Sequence, residues 1–453
     1  MTPTNGTIHE HVTGKADRQA MRITGLRVHS IAIGDPPLRS SYGLHAPFAL
    51  RTILELESAA GVIGISEAHG GEANAKKFES LRDRIVGADP WQLCGSLLGL
   101  IEDDVAGDRS QTHRVPGENV SDADARAFSA IEIACLDLIG KSVGVPVCDL
   151  LGGRVRDEVP FSAYLFYKHA GPGGSPSEKR EDEYGECLTP ETIVRQARQM
   201  IDRYGFQSIK LKGGVFPPDE EVEAIRQLYK AFGPAYPLRI DPNSAWTVET
   251  SVQVGRDLKT ELAGEGYLED PAPGIDGMAA VRRQLLAEGI TTPLASNVAT
   301  TSFAHVREAV KTDAVQIVLC DPHYWGGARQ IQHLSKVCHT FGLGLSMHSN
   351  SHLGVSLMAM AHTAGAAPHL TYACDTHYPW QADEDEVVVG GRVPIVGGAV
   401  KLTDAPGLGV TLDPDRLARG RERYATCEFR NRDDAAEMRK HVDPTWKRIV
   451  PRW

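Results

Sequence analysis

Four short runs decide how this chain is read: SIKLKGG (208–214), LRIDPNSAW (238–246), YLEDP (267–271) and PLASN (293–297). Each is an apolar run of strand length that closes on a polar residue. Asp241, Glu269 and Asn297 follow one another at intervals of 28 residues, and Lys212 stands about one interval earlier. That interval accommodates one strand, one helix and two connections. Working outward, FSAYLFY (161–167) precedes the set, and AVQIVL (314–319), LGLSMH (343–348) and LTYAC (370–374) follow it. Asp321 and His348 fall one and two repeats beyond Asn297. Eight such runs, each but the last followed by a helix-like stretch, predict a closed parallel barrel. The expected fold is a (β/α)8-type TIM barrel, modified to (β/α)7β, over 156–395. Its polar strand ends converge on one mouth, where barrel active sites sit.

The pattern before the barrel is different. ITGLRVHSIAI (23–33), FALRTILELES (48–58) and GVIGISEAHG (61–70) are rich in Ile, Val and Leu and punctuated by Gly, as hairpin strands are. SDADARAFSAIEIACLDLIGKSVG (121–144) opens on a Ser/Asp cap signal, carries apolar residues at helical spacing and ends at Gly. Residues 23–155 therefore predict an α+β capping domain, preceded by a flexible tail over 1–22. The Pro/Gly-rich stretch 396–453 is expected to pack back on the cap or the barrel. Residues 171–190, dense in Gly and charge, read as a mobile loop after the first barrel strand.

A net charge of −11 and the absence of a basic stripe argue against nucleic acid as a partner. No run is long and apolar enough to span a bilayer, and the polar N-terminus lacks a signal-peptide core, so a cytoplasmic enzyme is expected. The eight cysteines form no C-x-x-C pair and read as buried thiols.

Asp241, Glu269 and Asn297 offer only oxygen donors, which suits Mg²⁺ better than zinc. Singly, each is an ordinary strand-closing turn residue; in phase with the barrel repeat they read as one ligand set. Lys210 and Lys212, two apart on a strand, point the same way, into the barrel. Burial there lowers a lysine pKa toward the range of a general base. Across the barrel by strand count, His348 has Asp321 one strand earlier to orient its imidazole and raise its basicity. Two bases flanking an oxygen-ligated cation imply proton abstraction next to a carboxylate, with the enediolate stabilised by positive charge. A hydroxyl on the next carbon can then leave.

With CDPHYWGG (320–327), SMHSNSHLG (346–354) and CDTHYPWQ (374–381) added to the four opening runs, the chain resembles the glucarate dehydratases of the enolase superfamily over nearly its whole length. The resemblance implies that Lys212 is the base on one face, assisted by Lys210, and that His348 with Asp321 is the base on the other. It implies Asn243 beside the carboxylate cluster and His45, in a mobile loop of the cap, at the distal end of substrate. Tyr164, Ser349, Asn350, His377 and Arg432 match further substrate-contact positions. Family members convert D-glucarate, and often L-idarate, to 5-keto-4-deoxyglucarate with Mg²⁺, and assemble as homo-oligomers. One position departs from the pattern: Ser40 stands where the family has Asn, which puts the distal end of the substrate in question. Dehydration or epimerisation of another acid sugar (galactarate, another aldarate, an aldonate) on the same site, and a non-catalytic binding homologue, remain the competing readings.

Overall fold

The computed structural model describes residues 18–95 and 123–453. Most of the expected N-terminal tail, and the Ser121–Asp122 cap signal, lie outside them. Three long strands, β1 (Ile23–Gly34), β2 (Phe48–Ser58) and β3 (Ile63–His69), form an antiparallel sheet in the order β1-β2-β3. The helix α1 (Glu72–Ser80) follows, and α2 (Ala123–Val143) packs on the sheet. The interior between them is apolar: Leu26, Leu54, Leu56, Phe78, Phe128, Ile131 and Leu138 share one cluster.

The barrel strands are β4 (Ala163–Phe166), β5 (Ile209–Lys212), β6 (Leu238–Asp241), β7 (Tyr267–Glu269), β8 (Leu294–Ser296), β9 (Ile317–Cys320) and β10 (Gly344–Met347). They pair in parallel, in chain order. The helices that follow them in turn are α3 (Pro190–Tyr204), α4 (Pro218–Phe232), α5 (Val248–Asp257), α6 (Gly274–Ala287), α7 (Phe303–Thr312), α8 (Ala328–Thr340) and α9 (Gly354–Ala366). The start of α3 shows how locally such boundaries are set. Thr189 and Thr192 cap each other reciprocally, Pro190 takes the first helical position, and Gly205 closes the helix in the left-handed region at φ 74°. Between these ends Ile193, Ala197, Met200 and Tyr204 form the buried stripe.

The eighth run, LTYAC, closes the ring without forming a regular strand. Cys374 N donates to Pro160 O at 2.9 Å and Ser162 N to Cys374 O at 2.8 Å on one side, while Asp375 N reaches Met347 O at 2.8 Å on the other. The ladder lapses at Ala373, whose carbonyl instead accepts from Arg239 Nη1 and Ser346 Oγ, each at 2.9 Å. With no α-helix of the barrel repeat after it, the architecture is the (β/α)7β form of the TIM barrel.

Beyond the barrel, Ala399–Lys401 pairs with Glu158–Pro160. Two helices follow, α10 (Pro414–Thr426), which lies on β1, and α11 (Asp434–His441). The chain then returns to the barrel mouth, where Trp453 N donates to Ala245 O at 3.0 Å. The loop expected over 171–190 runs to the start of α3 and is held by charge as well as by apolar packing: Tyr184 and Cys187 are buried in the main core, and the Tyr184 ring lies 4.6 Å from that of Trp380. The buried Lys168 ammonium bonds Asp182 and three carbonyls, and Arg180 bonds Glu178 and Asp385. All eight cysteines are free, and only Cys427 is more than slightly exposed. Among the described residues no helix is long and apolar enough to cross a membrane.

Candidate active site

Strand register brings the polar ends together. Lys210 pairs with Arg239 and Lys212 with Asp241, so alternate residues of β5 and β6 enter the barrel at matched heights. The turns after the strands are tight. Gly213 N donates to Asp241 O at 2.9 Å, Ser244 N to Asp270 O at 2.6 Å and Asp270 N to Ala295 O at 2.9 Å. Asn243, Ser244 and Asp270 all have positive φ (47°, 61° and 39°), a sparsely populated conformation for non-glycine residues. At Gly214, with φ 73°, an added Cβ would fall 2.4 Å from Pro242 O. Such constrained backbone clusters at functional sites.

Beneath the mouth lies a buried charged layer. Lys210 Nζ is 2.6 Å from both Asp375 Oδ2 and Glu269 Oε2 and 3.7 Å from Asp241 Oδ2, and sits 4.6 Å above the Tyr164 ring. Burial alone would depress this lysine, but Asp375, Glu269 and Asp241 outweigh it and hold its pKa well above the ordinary lysine value. The expectation that burial lowers the Lys210 pKa is thus reversed, because three carboxylates share its surroundings. Lys212 Nζ donates to Asp241 Oδ2 at 2.6 Å. Although burial pushes Asp241 up, Lys212 and Lys210 hold its carboxyl well below the usual range. Asn243 N donates to Asp241 Oδ1 at 3.0 Å, and the Asn243 amide bonds the same oxygen.

Ligand oxygens of Asp241, Glu269 and Asp270 lie within 4.8 Å of one another. Burial, and then Asp241, push Glu269 well above the usual carboxylate range, and the same two causes bring Asp270 up to about 6. Asp270 is held by Ser296 Oγ at 2.5 Å and by the Asn297 and Val298 amides at 3.0 and 3.2 Å. The Asn297 side-chain amide lies 3.2 Å from Glu269 Oε1 and 3.0 Å from Asp270 Oδ2. Either its NH2 donates to both, or its oxygen shares a cation with them. Glu269 Oε2 has no hydrogen bond of proper geometry despite the nearby ammonium. A buried, mutually repelling set of oxygen donors is what a hard divalent cation relieves, so the residues present fit Mg²⁺.

On the other side, His348 N donates to Cys320 O at 2.7 Å, which sets its ring beside Asp321; Nδ1 lies 3.1 Å from Asp321 Oδ2. Burial lowers the His348 pKa, against the pull of Asp321 and with Lys210 and Lys212. The expected rise in basicity from Asp321 is therefore only a partial offset. Asp321 itself is held far below the usual range by His323 and His348, in spite of its burial.

Above this layer Ser40, His45, Lys212, Asn243, Asn297, His348, Ser349, Asn350, His377 and Arg432 line one cavity. Lys210, Asp241, Glu269, Tyr164 and Asp321 stand just below or behind it, with Tyr164 Oη 3.4 Å from Asp241 Oδ2. Ser349 Oγ bonds His377 Nδ1 at 2.9 Å, His45 Nδ1 bonds Asp35 Oδ2 at 3.0 Å, and Arg432 forms a paired contact with Asp434 at 2.7 and 2.6 Å. Ser40 Oγ accepts from Tyr42 N at 3.2 Å. Sequence reasoning missed Tyr42, Arg126, Phe166 and Tyr324 in the cavity wall, Asp270 and Asp375 beneath it, and His323 behind it. Asp375 carried a usable signal, one repeat beyond His348 at the end of the eighth run. Asp270 was hidden by its turn-like Asp-Pro setting.

Two family models cover most of the chain: "Mandelate racemase / muconate lactonizing enzyme, N-terminal domain" over 45–152 and "Enolase C-terminal domain-like" over 192–416. A probable glucarate dehydratase of Streptomyces coelicolor is 46% identical, covering 96% of this chain and 99% of the relative. A D-xylonate dehydratase of Haloferax volcanii is 25% identical, over 81% of this chain and 84% of its own length. An enolase from Pseudomonas fluorescens, solved with bound magnesium, potassium and tartrate, superposes with a TM-score of 0.87 at 48% identity, covering 95% of this chain and 99% of that one. With the barrel, the cap and near-complete coverage in agreement, this chain belongs to the glucarate dehydratase-like family of the enolase superfamily.

Proposed function

We propose that the protein is a Mg²⁺-dependent hydro-lyase for a sugar diacid, converting D-glucarate or L-idarate to 5-keto-4-deoxyglucarate. The observation that carries this reading is the placement of two candidate bases, Lys212 and His348, on one cavity that also borders the oxygen-donor cluster. A magnesium- and tartrate-bound relative of the same architecture supports it, since tartrate is itself a small hydroxy diacid.

Asp241, Glu269 and Asn297, with Asp270 beside them, would hold the cation, which supplies positive charge to the substrate carboxylate. Lys210, kept charged by its carboxylate neighbours, adds a fixed positive charge next to that cluster. Lys212 or His348, according to the configuration of the α-carbon, takes the α-proton. When His348 is the base it returns that proton to the hydroxyl leaving the neighbouring carbon; when Lys212 is the base, His348 must enter protonated on both nitrogens to supply it, and in either case the resulting enol rearranges to the ketone. The balance is one substrate to one keto acid and one water. Asp321 keeps the His348 ring in place throughout.

One observation favours a different acid sugar on the same chemistry. The Ser40 hydroxyl already accepts from Tyr42 N, and it is shorter than the amide it replaces. Purified protein with Mg²⁺ should therefore be assayed for keto-acid formation against D-glucarate, L-idarate, galactarate and a set of aldonates. Keto acid from glucarate or idarate supports the reading. Turnover of another acid sugar alone moves the substrate, and epimerised sugar without keto acid, or no reaction with any, overturns it.

A further inference from the structure

The oxygen of Asp321 that does not face His348 is occupied by a second histidine. Asp321 Oδ1 accepts from His323 N at 2.8 Å and lies 2.6 Å from His323 Nδ1. From there hydrogen bonds continue through the interior. His323 Nε2 is 2.9 Å from Ser356 Oγ, Ser356 Oγ is 3.1 Å from His352 Nδ1, and His352 Nε2 is 2.9 Å from Thr376 Oγ1. Thr376 Oγ1 also accepts from Tyr378 N at 3.1 Å. Every residue of the chain is buried.

With Asp321 ionised and His323 in its neutral form, donor counting sets the direction of every bond. An ionised carboxylate only accepts, so both histidines on Asp321 present a protonated Nδ1 to it. A neutral His323 then has a bare Nε2, which must accept from the Ser356 hydroxyl. With that proton committed, Ser356 Oγ accepts from His352 Nδ1–H. His352 Nε2 is then bare and accepts from the Thr376 hydroxyl. The carboxylate end sets this polarity, and the far end is compatible with it: Thr376 Oγ1 accepts from the Tyr378 amide and keeps its own proton for His352 Nε2. Burial keeps His352 well below the ordinary histidine pKa and so neutral, as the scheme needs. The middle of the chain is itself anchored: Ser356 N donates to Glu67 Oε2 at 3.0 Å from the cap.

We propose that His323 is a positioning residue: held in one tautomer by Ser356, His352 and Thr376, it shares Asp321 with His348 and so fixes the proton of His348 on Nδ1, leaving Nε2 bare for the cavity. This inference rests on His348 serving as a base in the reaction proposed above. It adds a consequence for basicity. Hydrogen bonds from His323 draw negative charge toward Oδ1, and so moderate the pull of Oδ2 on the His348 proton. The other charged and titratable groups facing the pair are Lys210, Lys212, His377 and Tyr324 on the cavity side, and Arg51, Glu67 and His69 from the cap. Of these, His69 lies within electrostatic reach of His323 itself.

Two measurements on the Mg²⁺-loaded full chain test this. Ring ¹⁵N shifts of the wild-type protein near neutral pH should show His323, His348 and His352 as neutral Nδ1–H tautomers; an Nε2–H form at His323 or His352 overturns the proposal. This readout needs no substrate, so it stands even where no acid sugar is turned over and the proposed function fails. In kinetics with the epimer, D-glucarate or L-idarate, whose α-proton still exchanges in Lys212→Ala and is therefore taken by His348, His323→Phe should move the acid limb of kcat/KM to higher pH by roughly half a unit or more. His323→Asn, whose amide N–H can replace Nδ1–H toward Asp321, should return that limb to the wild-type position. An acid limb that stays put in His323→Phe, or stays displaced in His323→Asn, overturns the proposal; a purely structural role would lower kcat without moving the limb. If His323→Phe does not fold, the tautomer spectrum and the Asn variant decide.

Discussion

At the scale of single residues, the two lysines of β5 show how a spacing of two separates roles. Lys210 is surrounded by Asp375, Glu269 and Asp241 and stays a cation; Lys212 touches Asp241 alone and reaches the cavity. Replacing Lys212 with Ala should therefore abolish deuterium exchange at the α-carbon for one of the epimers D-glucarate and L-idarate, by roughly 10²- to 10⁴-fold, and spare the other. Proton NMR in D2O reads this directly, and equal loss for both epimers contradicts two separate bases. Asn297 poses a sharper question, because its amide satisfies Glu269 and Asp270 either as a donor or by sharing a cation. If its oxygen is a ligand, Asn297→Leu should weaken Mg²⁺ binding by about 10-fold or more in calorimetry. Unchanged affinity would make it a donor to the carboxylates instead.

At the scale of elements, the barrel was legible because its strands are buried and its repeat is regular. The 28-residue phase of Asp241, Glu269 and Asn297 survives in the structure as adjacent strand ends. The eighth run was legible as a strand but not as a broken one. Nothing in LTYAC says that Arg239, from another strand, takes the Ala373 carbonyl. Cavity residues from the cap, such as Tyr42 and Arg126, were illegible for the same reason: their place depends on how the cap docks, which no local pattern encodes. The docking buries cap residues such as Ile33, Ile53, Ile65 and Ile133 in one apolar cluster with the barrel, and Glu67 is an ionic anchor within it. The buried α9 starts with amides that no turn of its own can satisfy. Leu353 N donates to Glu67 at 3.0 Å, Ser356 N to the same carboxylate, and Gly354 N to Glu386 at 3.0 Å. Glu67 lies on β3 of the cap and also pairs with buried Arg51 at 2.8 Å. Glu67→Ala strands a buried guanidinium and two helix amides, and should cost about 3–5 kcal/mol. The denaturant midpoint should fall accordingly, and a midpoint within error of wild type would show that water replaces the carboxylate.

At the scale of the whole molecule, three distant stretches meet at one carboxylate. Asp385, fully buried, accepts from Gly34 N at the end of β1 at 2.9 Å, from Arg180 of the loop after β4 at 2.8 Å, and from Arg423 of α10. The cap, the long loop and the C-terminal helix therefore share one buried acceptor, and the Gly34 amide that it holds is one residue from Asp35, which orients His45 at the cavity. Low apolar content made residues 171–190 look loose; what holds them, beyond the buried Tyr184 and Cys187, is charge neutralisation across more than 200 positions of sequence, which composition cannot report. Removing that carboxylate leaves Arg180 with Glu178 alone and deprives Arg423 of one of its two partners. Asp385→Ala should lower stability by about 3–5 kcal/mol. It should also raise KM for the acid sugar more than it lowers kcat, because the Gly34–Asp35 strand end, and with it His45, loses its tether while Lys212, His348 and the oxygen-donor cluster stay in place. Asp385→Asn, which keeps one acceptor but not the charge, should fall between. Equal losses in kcat and KM, or an alanine variant with wild-type KM, would mean that the cap holds His45 without this junction.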